Sequence, residues 1–268
     1  MAELLVRSES APAPGAAVVE VTPATAGWEH VGFAVHRLAG GVERTWQSPD
    51  RELCIVMLAG VADVVAGSRV WTGVGGRAGV FDGRPYAVYV PPAMPVRVRA
   101  VTDDVEIALC WAPAPAGELP AALITPDDID VEVRGSGAAE RHVHPILMED
   151  RPAERLLVVE VLTPAGHWSS FPPHKHDRDD PPRETLLEET YYHRIRPEQG
   201  FALQRVYTDD GSIDETLSVA DGDVVLVPRG YHTVSAPPGY DLYYLNVMAG
   251  PRRGWSFVDD PAHHWLNR

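Results

Sequence analysis

The sequence places two histidines and two glutamates where they could hold a metal ion. His174 and His176 stand one residue apart in the stretch FPPHKHD, and Glu188 and Glu189 follow in a stretch rich in Thr and Tyr. Because alternate side chains of a β-strand point to the same face, the H-x-H pair aims both imidazoles at one point. A neighbouring strand can bring a carboxylate to the same point. Imidazole and carboxylate together are a common ligand set for a divalent transition metal.

A further histidine follows a strand signal later in the chain. Residues 222–232 read GDVVLVPRGYH, a short apolar run that ends in Pro and Gly just before His232. Pro and Gly end strands in this manner. The two histidine stretches resemble, in this order, the two signatures of the cupin superfamily, which supply the ligands of one metal inside a small β-barrel. A long polar insert, residues 177–187, separates the H-x-H pair from the carboxylates and is a candidate lid over the barrel mouth.

The whole chain predicts an all-β fold. Short segments rich in Val and aromatic residues, bounded by Gly or Pro, predict strands at 31–38, 52–60, 61–67, 87–92, 106–113, 156–163, 187–195, 201–208, 223–228 and 242–248. Many short strands at this spacing are typical of sandwiches and barrels. Their repetition in both halves predicts a bicupin, two jelly-roll-like β-barrels in tandem. We expect a degenerate barrel without metal at residues 1–120, where no H-x-H pair occurs, and a barrel with the metal site at residues 121–268.

Composition limits the partners of the protein. The 268 residues carry a net charge of −15, which argues against nucleic-acid and anionic-membrane partners, because both need basic patches. The chain shows no amino-terminal apolar run flanked by basic residues and no stretch that approaches about 18 apolar residues. These features predict a cytoplasmic protein with a small-molecule substrate. Barrels with exposed sheets often associate, so the sequence is compatible with a homo-oligomer but does not fix the oligomeric state.

Five blocks of the second half carry a sharper resemblance. They read FPPHKHD, LLEETYYHRI, QGFALQRVYTDDGSIDET, VPRGYHTV and GYDLYYLNVMAGP, and cover most of residues 168–251. They resemble the 5-deoxy-glucuronate isomerase family of myo-inositol catabolism. The resemblance implies an aldose–ketose isomerase that interconverts 5-deoxy-glucuronate and 5-dehydro-2-deoxy-gluconate, with a metal assisting proton transfer between C1 and C2. It also implies one divalent metal, zinc with manganese or iron as alternatives, on the ligands His174, His176, Glu189 and His232.

Only one of the two neighbouring glutamates can face the metal from a strand. Glu189 is favoured because the 5-keto-4-deoxyuronate isomerases of pectin breakdown, to which the resembled family is related, place their ligand glutamate directly before an apolar or aromatic strand. Glu188 is then a carboxylate at the rim or at an interface. Glu189 shares its face with Tyr191 and His193, which are the candidates for the base that carries the proton. His193 can equally be a hydrogen-bonded histidine of the barrel.

Other strands are expected to supply the contacts to the substrate. Arg205 is the candidate for holding the substrate carboxylate, since a guanidinium meets a carboxylate through two parallel hydrogen bonds. Tyr207 shares the face of Arg205 and could contact sugar hydroxyls, or simply pack in the barrel. On the last long strand either Tyr243 or Tyr244 must face the interior, and Tyr244 is favoured.

Two other function classes fit the same residues. Three histidines and one glutamate also suit an iron dioxygenase or a manganese decarboxylase. A non-catalytic cupin that binds a sugar acid is the third class, because a fold alone does not define a function.

Overall fold

The computed structural model describes residues 3–13, 15–115, 117 and 119–267. Strands of the first half are β1 (Leu5–Val6), β2 (Val19–Val21), β3 (Gly32–Leu38), β4 (Glu43–Trp46), β5 (Arg51–Ala59), β6 (Val61–Ala66), β7 (Arg69–Gly75), β8 (Ala87–Val90), β9 (Val96–Ala100), β10 (Val105–Pro113) and β11 (Ala122–Ile124). Strands of the second half are β12 (Glu132–Arg134), β13 (Arg141–Leu147), β14 (Leu157–Thr163), β15 (Trp168–Lys175), β16 (Glu188–Arg196), β17 (Ala202–Tyr207), β18 (Asp214–Val219), β19 (Val224–Val227), β20 (Tyr231–Ser235), β21 (Asp241–Ala249) and β22 (Val258–Asp259).

Helical structure is confined to short segments. One turn of α-helix, α1, spans Pro23–Ala26, and 3-10 turns span Pro126–Asp128, Gly137–Ala139 and Pro261–Asn267. None of the helices in the described part of the chain has the length and apolar character needed to cross a membrane. The all-β prediction is therefore confirmed.

The strands form four antiparallel sheets, two in each barrel. The first barrel consists of the six-stranded sheet β11-β8-β5-β10-β3-β2 and the four-stranded sheet β4-β9-β6-β7. The second consists of the seven-stranded sheet β1-β19-β16-β21-β14-β13-β12 and the five-stranded sheet β18-β17-β20-β15-β22. Each barrel has its own apolar core, because alternate side chains of facing strands meet inside it. The bicupin prediction is confirmed.

A third apolar cluster joins the two barrels. It combines the outward faces of the six-stranded and seven-stranded sheets, and both faces contribute fully buried aromatic residues. Phe33 of the first barrel packs on Tyr192 of the second with ring centroids 5.4 Å apart. The interface is therefore built like a domain core, and the large sheets are buried on both faces.

A buried carboxylate, Glu160 of β14, also ties the barrels together. Arg77, from the first barrel, donates through Nη1 to Glu160 Oε2 at 3.1 Å. From the second barrel, the hydroxyl of Tyr243 donates to the same oxygen at 3.0 Å, and Nδ1 of His144 lies 2.8 Å from Oε1. Glu160 is inaccessible to solvent, so these partners replace the water that its charge has lost.

A second carboxylate at the interface is Glu188, at the start of β16. Its oxygens accept hydrogen bonds from the backbone N–H groups of Glu29, His30 and Val31 at 2.7, 2.6 and 3.0 Å. The three donors belong to the loop that leads into β3 of the first barrel. Of the two positions predicted for Glu188, the structure shows the interface one. Glu188 thus ties β16 to the first barrel. The next residue of this strand is Glu189.

Two strands cross the predicted boundary between residues 120 and 121. β1, at the amino-terminal end, pairs with β19 in the sheet of the second barrel, with Leu5 opposite Val225. β11 lies beyond residue 121 yet pairs with β8 of the first barrel. The division into residues 1–120 and 121–268 stays a prediction, and the two barrels exchange strands across it.

We expect Glu188→Ala to destabilise the protein. The substitution leaves three backbone N–H groups of the first barrel without their acceptor, which should lower the free energy of unfolding by about 2–4 kcal/mol. Urea denaturation of wild type and variant measures the change. The matched control is Glu215→Ala on the exposed face of β18, which should change it by less than about 0.5 kcal/mol. Equal effects of the two substitutions would contradict the role given to Glu188.

Candidate metal centre

Three histidines and a glutamate converge between the two sheets of the second barrel. β15 and β20 are paired, with His174 opposite His232, and His176 directly follows β15. β16 brings Glu189 from the other sheet. One ligand atom each of His176, Glu189 and His232 lies within 4.8 Å of the others. All three residues are buried.

Backbone carbonyls fix the orientation of two of the imidazoles. Nδ1 of His176 lies 2.9 Å from the carbonyl oxygen of Leu187, and Nδ1 of His232 lies 3.0 Å from that of Gly230. A carbonyl can only accept, so each Nδ1 carries a proton and each Nε2 is turned toward Glu189. The Nε2 atoms lie 3.0 Å (His176) and 3.1 Å (His232) from Oε2 of Glu189.

The Nε2 atom of His232 is the strongest indication of a metal ion. It is buried and makes no hydrogen bond among the described residues, although Oε2 of Glu189 is close by. A buried nitrogen without a partner is costly, unless its lone pair serves a ligand. Two imidazole nitrogens and a carboxylate oxygen that face one another fit the first coordination shell of a divalent transition metal.

The pKa shifts of the residues in and beside the cluster are consistent with a site for a divalent metal ion. Burial opposes the charge of Glu189, but the imidazoles of His232 and His176 outweigh burial and lower its pKa to about 2. Burial and the neighbouring imidazoles hold the pKa of His174 well below its usual value. Burial also lowers the pKa of His176, but the bond to Glu189 more than compensates, so a proton can occupy the place that a metal would take.

His174 stands beside the three-residue cluster and not within it. Its ring centroid lies 4.7 Å from that of His232 and 6.4 Å from that of His176. Unlike those two rings it is partly exposed, and it lines a pocket of about 840 Å³. The structure thus brings together three of the four predicted ligands and puts the fourth next to them, on the pocket wall.

Two tyrosines of the predicted set face the same pocket. Tyr191 and Tyr244 line it, and their hydroxyls bond to the side-chain oxygens of Ser170 at 2.8 Å and Ser169 at 2.5 Å. Burial raises the pKa of both phenols, so both stay protonated at neutral pH. They are suited to donate hydrogen bonds to oxygens of a ligand.

His193 lies deeper in the barrel, behind Tyr191. The two rings are stacked with centroids 6.1 Å apart, and His193 is fully buried without lining the pocket. Its Nε2 lies 2.8 Å from Oε1 of Gln204, and burial lowers its pKa to about 4. The prediction that His193 carries the substrate proton stays a prediction, and this position favours its alternative, a neutral hydrogen-bonded histidine of the barrel.

Arg205 and Tyr207 lie on the outside of the barrel. Arg205 is exposed and donates through Nε and Nη2 to Asp214 at 3.1 and 2.9 Å, while the hydroxyl of Tyr207 donates to Asp260 at 2.6 Å. Gln204 occupies the inward face of β17 instead. Neither Arg205 nor Tyr207 faces the pocket, because the alternation along this strand turns Gln204 inward, and their contact with the substrate stays a prediction that this position does not favour.

The insert at residues 177–187 does not cover the pocket. None of its residues is among the described residues that line the pocket wall. Asp177 accepts a hydrogen bond from the backbone N–H of Gly230 at 2.7 Å, and Glu184 accepts one from the N–H of Asp177 at 2.6 Å. The insert therefore braces the turn before His232 in this structure, and its interpretation as a lid stays a prediction.

Sequence reasoning missed two arginines of the pocket, Arg134 and Arg141. They flank the Gly-rich turn between β12 and β13, which also lines the pocket. The signal in the sequence was this turn, RGSGAAER, in which two arginines enclose residues that allow close approach of the backbone.

Comparison with known sequences identifies close relatives. Residues 4–266 match the model of the KduI/IolB family. The chain is 55% identical over 267 residues to the 5-deoxy-glucuronate isomerase of Geobacillus kaustophilus, covering 99% of this chain and 96% of that protein. It is 47% identical over 251 residues to the protein of the same name from Bacillus subtilis, covering 93% of this chain and 92% of that protein.

Solved structures also resemble this chain. An IolB-like protein from Salmonella typhimurium matches with a TM-score of 0.95 and 48% identity, over 100% of both chains. An oxalate decarboxylase from Lactobacillus farciminis matches with a TM-score of 0.65 and 16% identity, over 90% of this chain and 82% of that one. At this identity the second likeness concerns the bicupin fold alone.

Because the folded-state pKa of His193 is about 4 and the usual value is 6.5, we expect His193 to make stability depend on pH. Between these values the unfolded chain binds the proton and the folded chain does not, so stability falls as the pH drops from 6.5 toward 4. His193→Gln should remove on the order of 3 kcal/mol of this fall, as measured by urea denaturation across that pH range. The control His264→Gln, at an exposed position, should leave the pH dependence unchanged. A wild-type pH dependence in His193→Gln would contradict the expectation.

Proposed function

The chain belongs to the KduI/IolB family, and on that premise we propose that it is a 5-deoxy-glucuronate isomerase. Identity to proteins of that name along nearly the whole chain carries the proposal. The reaction is an aldose–ketose isomerisation to 5-dehydro-2-deoxy-gluconate, in which a proton moves between C1 and C2 of the open-chain sugar acid. The pocket beside the cluster has a volume of about 840 Å³, within the range of small-molecule sites.

We further propose that His176, Glu189 and His232 hold one divalent metal ion, with His174 as the fourth ligand. The unpartnered Nε2 of His232 and the fixed Nδ1–H groups of His176 and His232 support this assignment. Zinc is the proposed ion, and manganese and iron suit the same donors. When bound, the ion would act as a Lewis acid that polarises a carbonyl oxygen of the sugar.

The tyrosines of the pocket wall have a separate role. Tyr191 packs against His232 with ring centroids 5.7 Å apart, so its ring lies next to a proposed ligand, and the residue also lines the pocket. Its raised pKa makes it a donor and not the base that takes the substrate proton. Tyr191 and Tyr244 are therefore proposed to hold oxygens of the substrate by hydrogen bonds. His193 contributes by supporting the ring of Tyr191 from behind.

The test of the function is turnover of 5-deoxy-glucuronate in deuterated water without oxygen. We expect product to form, with solvent deuterium at the carbon that receives the proton. Turnover that requires oxygen would indicate the dioxygenase class. A protein that binds the sugar acid but never converts it would contradict the isomerase proposal. Product without deuterium would still support an isomerase, but it would contradict exchange of the transferred proton with solvent.

The metal ligands are tested by metal content. Purified wild-type protein should carry close to one divalent transition metal per chain, and His232→Ala and Glu189→Gln should each lose it, because each removes a donor from the cluster. Elemental analysis measures the metal, and thermal unfolding checks that the variants fold. His264→Ala, at an exposed position, is the control and should keep the metal. Full metal occupancy in His232→Ala would overturn the assignment.

A further inference from the structure

Arg141 is a cation of the pocket that has no acidic partner among the described residues. It is the first residue of β13, lies half-buried and lines the pocket. Its one hydrogen bond runs from Nη1 to the carbonyl oxygen of Ala139 at 3.1 Å, and no carboxylate of the described residues forms an ion pair with it. A guanidinium carries five N–H donors, so most of its capacity is unused. This is notable in a chain whose acidic residues outnumber its basic ones by 38 to 23.

The neighbouring arginine provides a contrast. Arg134 lies opposite Arg141 on the paired strand β12, lines the same pocket and is also half-buried. Arg134 donates through Nε and Nη2 to Glu132 at 2.9 and 2.6 Å and stacks over Trp255 at 5.0 Å. Its charge is therefore satisfied within the fold. Like charges directly opposite on paired strands are unfavourable, so the unpaired charge of Arg141 brings no evident benefit to stability.

The turn between these arginines is shaped to hold the guanidinium of Arg141. Gly135 has a φ of 76°, and a Cβ atom there would lie 2.2 Å from the carbonyl oxygen of Ala139 and 2.7 Å from Nη1 of Arg141. The absence of a side chain lets the turn fold back until the Ala139 carbonyl reaches Arg141. Arg141 is thus fixed by backbone contacts that leave its charge available to the pocket.

The pocket brings Arg141 together with two tyrosines and a residue of the metal cluster. Arg141 interacts electrostatically with the phenols of Tyr244 and Tyr191, and burial lowers its pKa, as expected for a charge that has lost water without gaining an anion. Tyr191 in turn contacts His232 of the proposed metal centre. The pocket is therefore lined by a guanidinium, by two phenols and by the carboxylate of the cluster, Glu189.

We propose that Arg141 binds the carboxylate of the uronate substrate and so directs the carbonyl end of the sugar to the metal centre. This inference rests on the proposed function, because that function supplies a substrate with a carbonyl at one end and a carboxylate at the other. Arg141 forms charge-assisted hydrogen bonds to the carboxylate, Tyr244 and Tyr191 contact the carbon chain between the two ends, and C1 lies beside His232 and Glu189. Arg141 therefore sets the specificity for an acid over a neutral sugar.

The test compares Arg141→Met and Arg141→Lys with Arg134→Met, the matched control in the same pocket. With 5-deoxy-glucuronate, Arg141→Met should lose roughly ten- to hundredfold in kcat/KM, mostly through KM, and Arg141→Lys should lose less. Arg134→Met should stay within about threefold of wild type. Metal content and thermal unfolding of each variant show that centre and fold are intact.

A second substrate isolates the carboxylate. In the neutral analogue 5-deoxy-glucose a CH2OH group replaces the carboxylate, so wild type should prefer the uronate strongly, and Arg141→Met should lose that preference. The inference would be overturned if Arg141→Met preferred the uronate over the neutral analogue as strongly as wild type does. It would also be overturned if Arg134→Met lost more kcat/KM with the uronate than Arg141→Met.

Binding separates this inference from the proposed function. The probe is 5-deoxy-glucuronate with its aldehyde reduced to an alcohol, titrated calorimetrically into wild type and variants. Wild type that never converts the uronate, yet binds the probe in a manner that depends on Arg141, would refute the isomerase and support the carboxylate site. Wild type that converts the uronate while Arg141→Met binds the probe equally well would refute the carboxylate site alone.

Discussion

The alternation of side chains along β16 is the constraint on which the rest of the structure depends. Its inward residues, Glu189 and Tyr191, belong to the metal cluster and to the pocket wall. Its outward residues belong to the interface, where Glu188 accepts three backbone N–H groups and Tyr192 packs on Phe33. A slip of one residue would exchange the two faces. Contacts on both faces of β16 therefore fix its register in the sheet. The first barrel thereby helps to keep Glu189 of the second barrel in place.

The fold and part of the site could be predicted because they depend on local patterns. Short Val-rich and aromatic runs between Gly and Pro determine strands, and ten such segments agree with strands of the structure. The period of two places Glu189, Tyr191 and His193 on one face, as the structure also does. The other site residues were predicted from the order of the motifs around His176 and His232 and from the blocks that resemble the family. A pattern of hydrophobicity alone does not contain this information.

Other residues could not be placed because their environment is non-local or their pattern is ambiguous. On β17 the two faces are almost equally apolar, since Ala202 and Val206 face inward while Leu203 faces outward, so hydrophobicity does not reveal that Arg205 lies outside. His193 lies deep in the barrel, where its hydrogen-bond partner is Gln204 of another strand. The sequence around His193 does not reveal this contact. Arg141 stands out because no carboxylate of the described residues pairs with it, and the sequence alone does not show which charges surround it.

The strand exchange has a consequence for how the protein is made. β1 is synthesised long before its partner β19, since Leu5 lies opposite Val225 in the sheet. Domains generally fold from the amino terminus as synthesis proceeds, and pairing between distant segments is slow. β1 must therefore wait, unpaired, until the second barrel has been translated. A product truncated before β19 would leave β1 unpaired and exposed to cellular proteases.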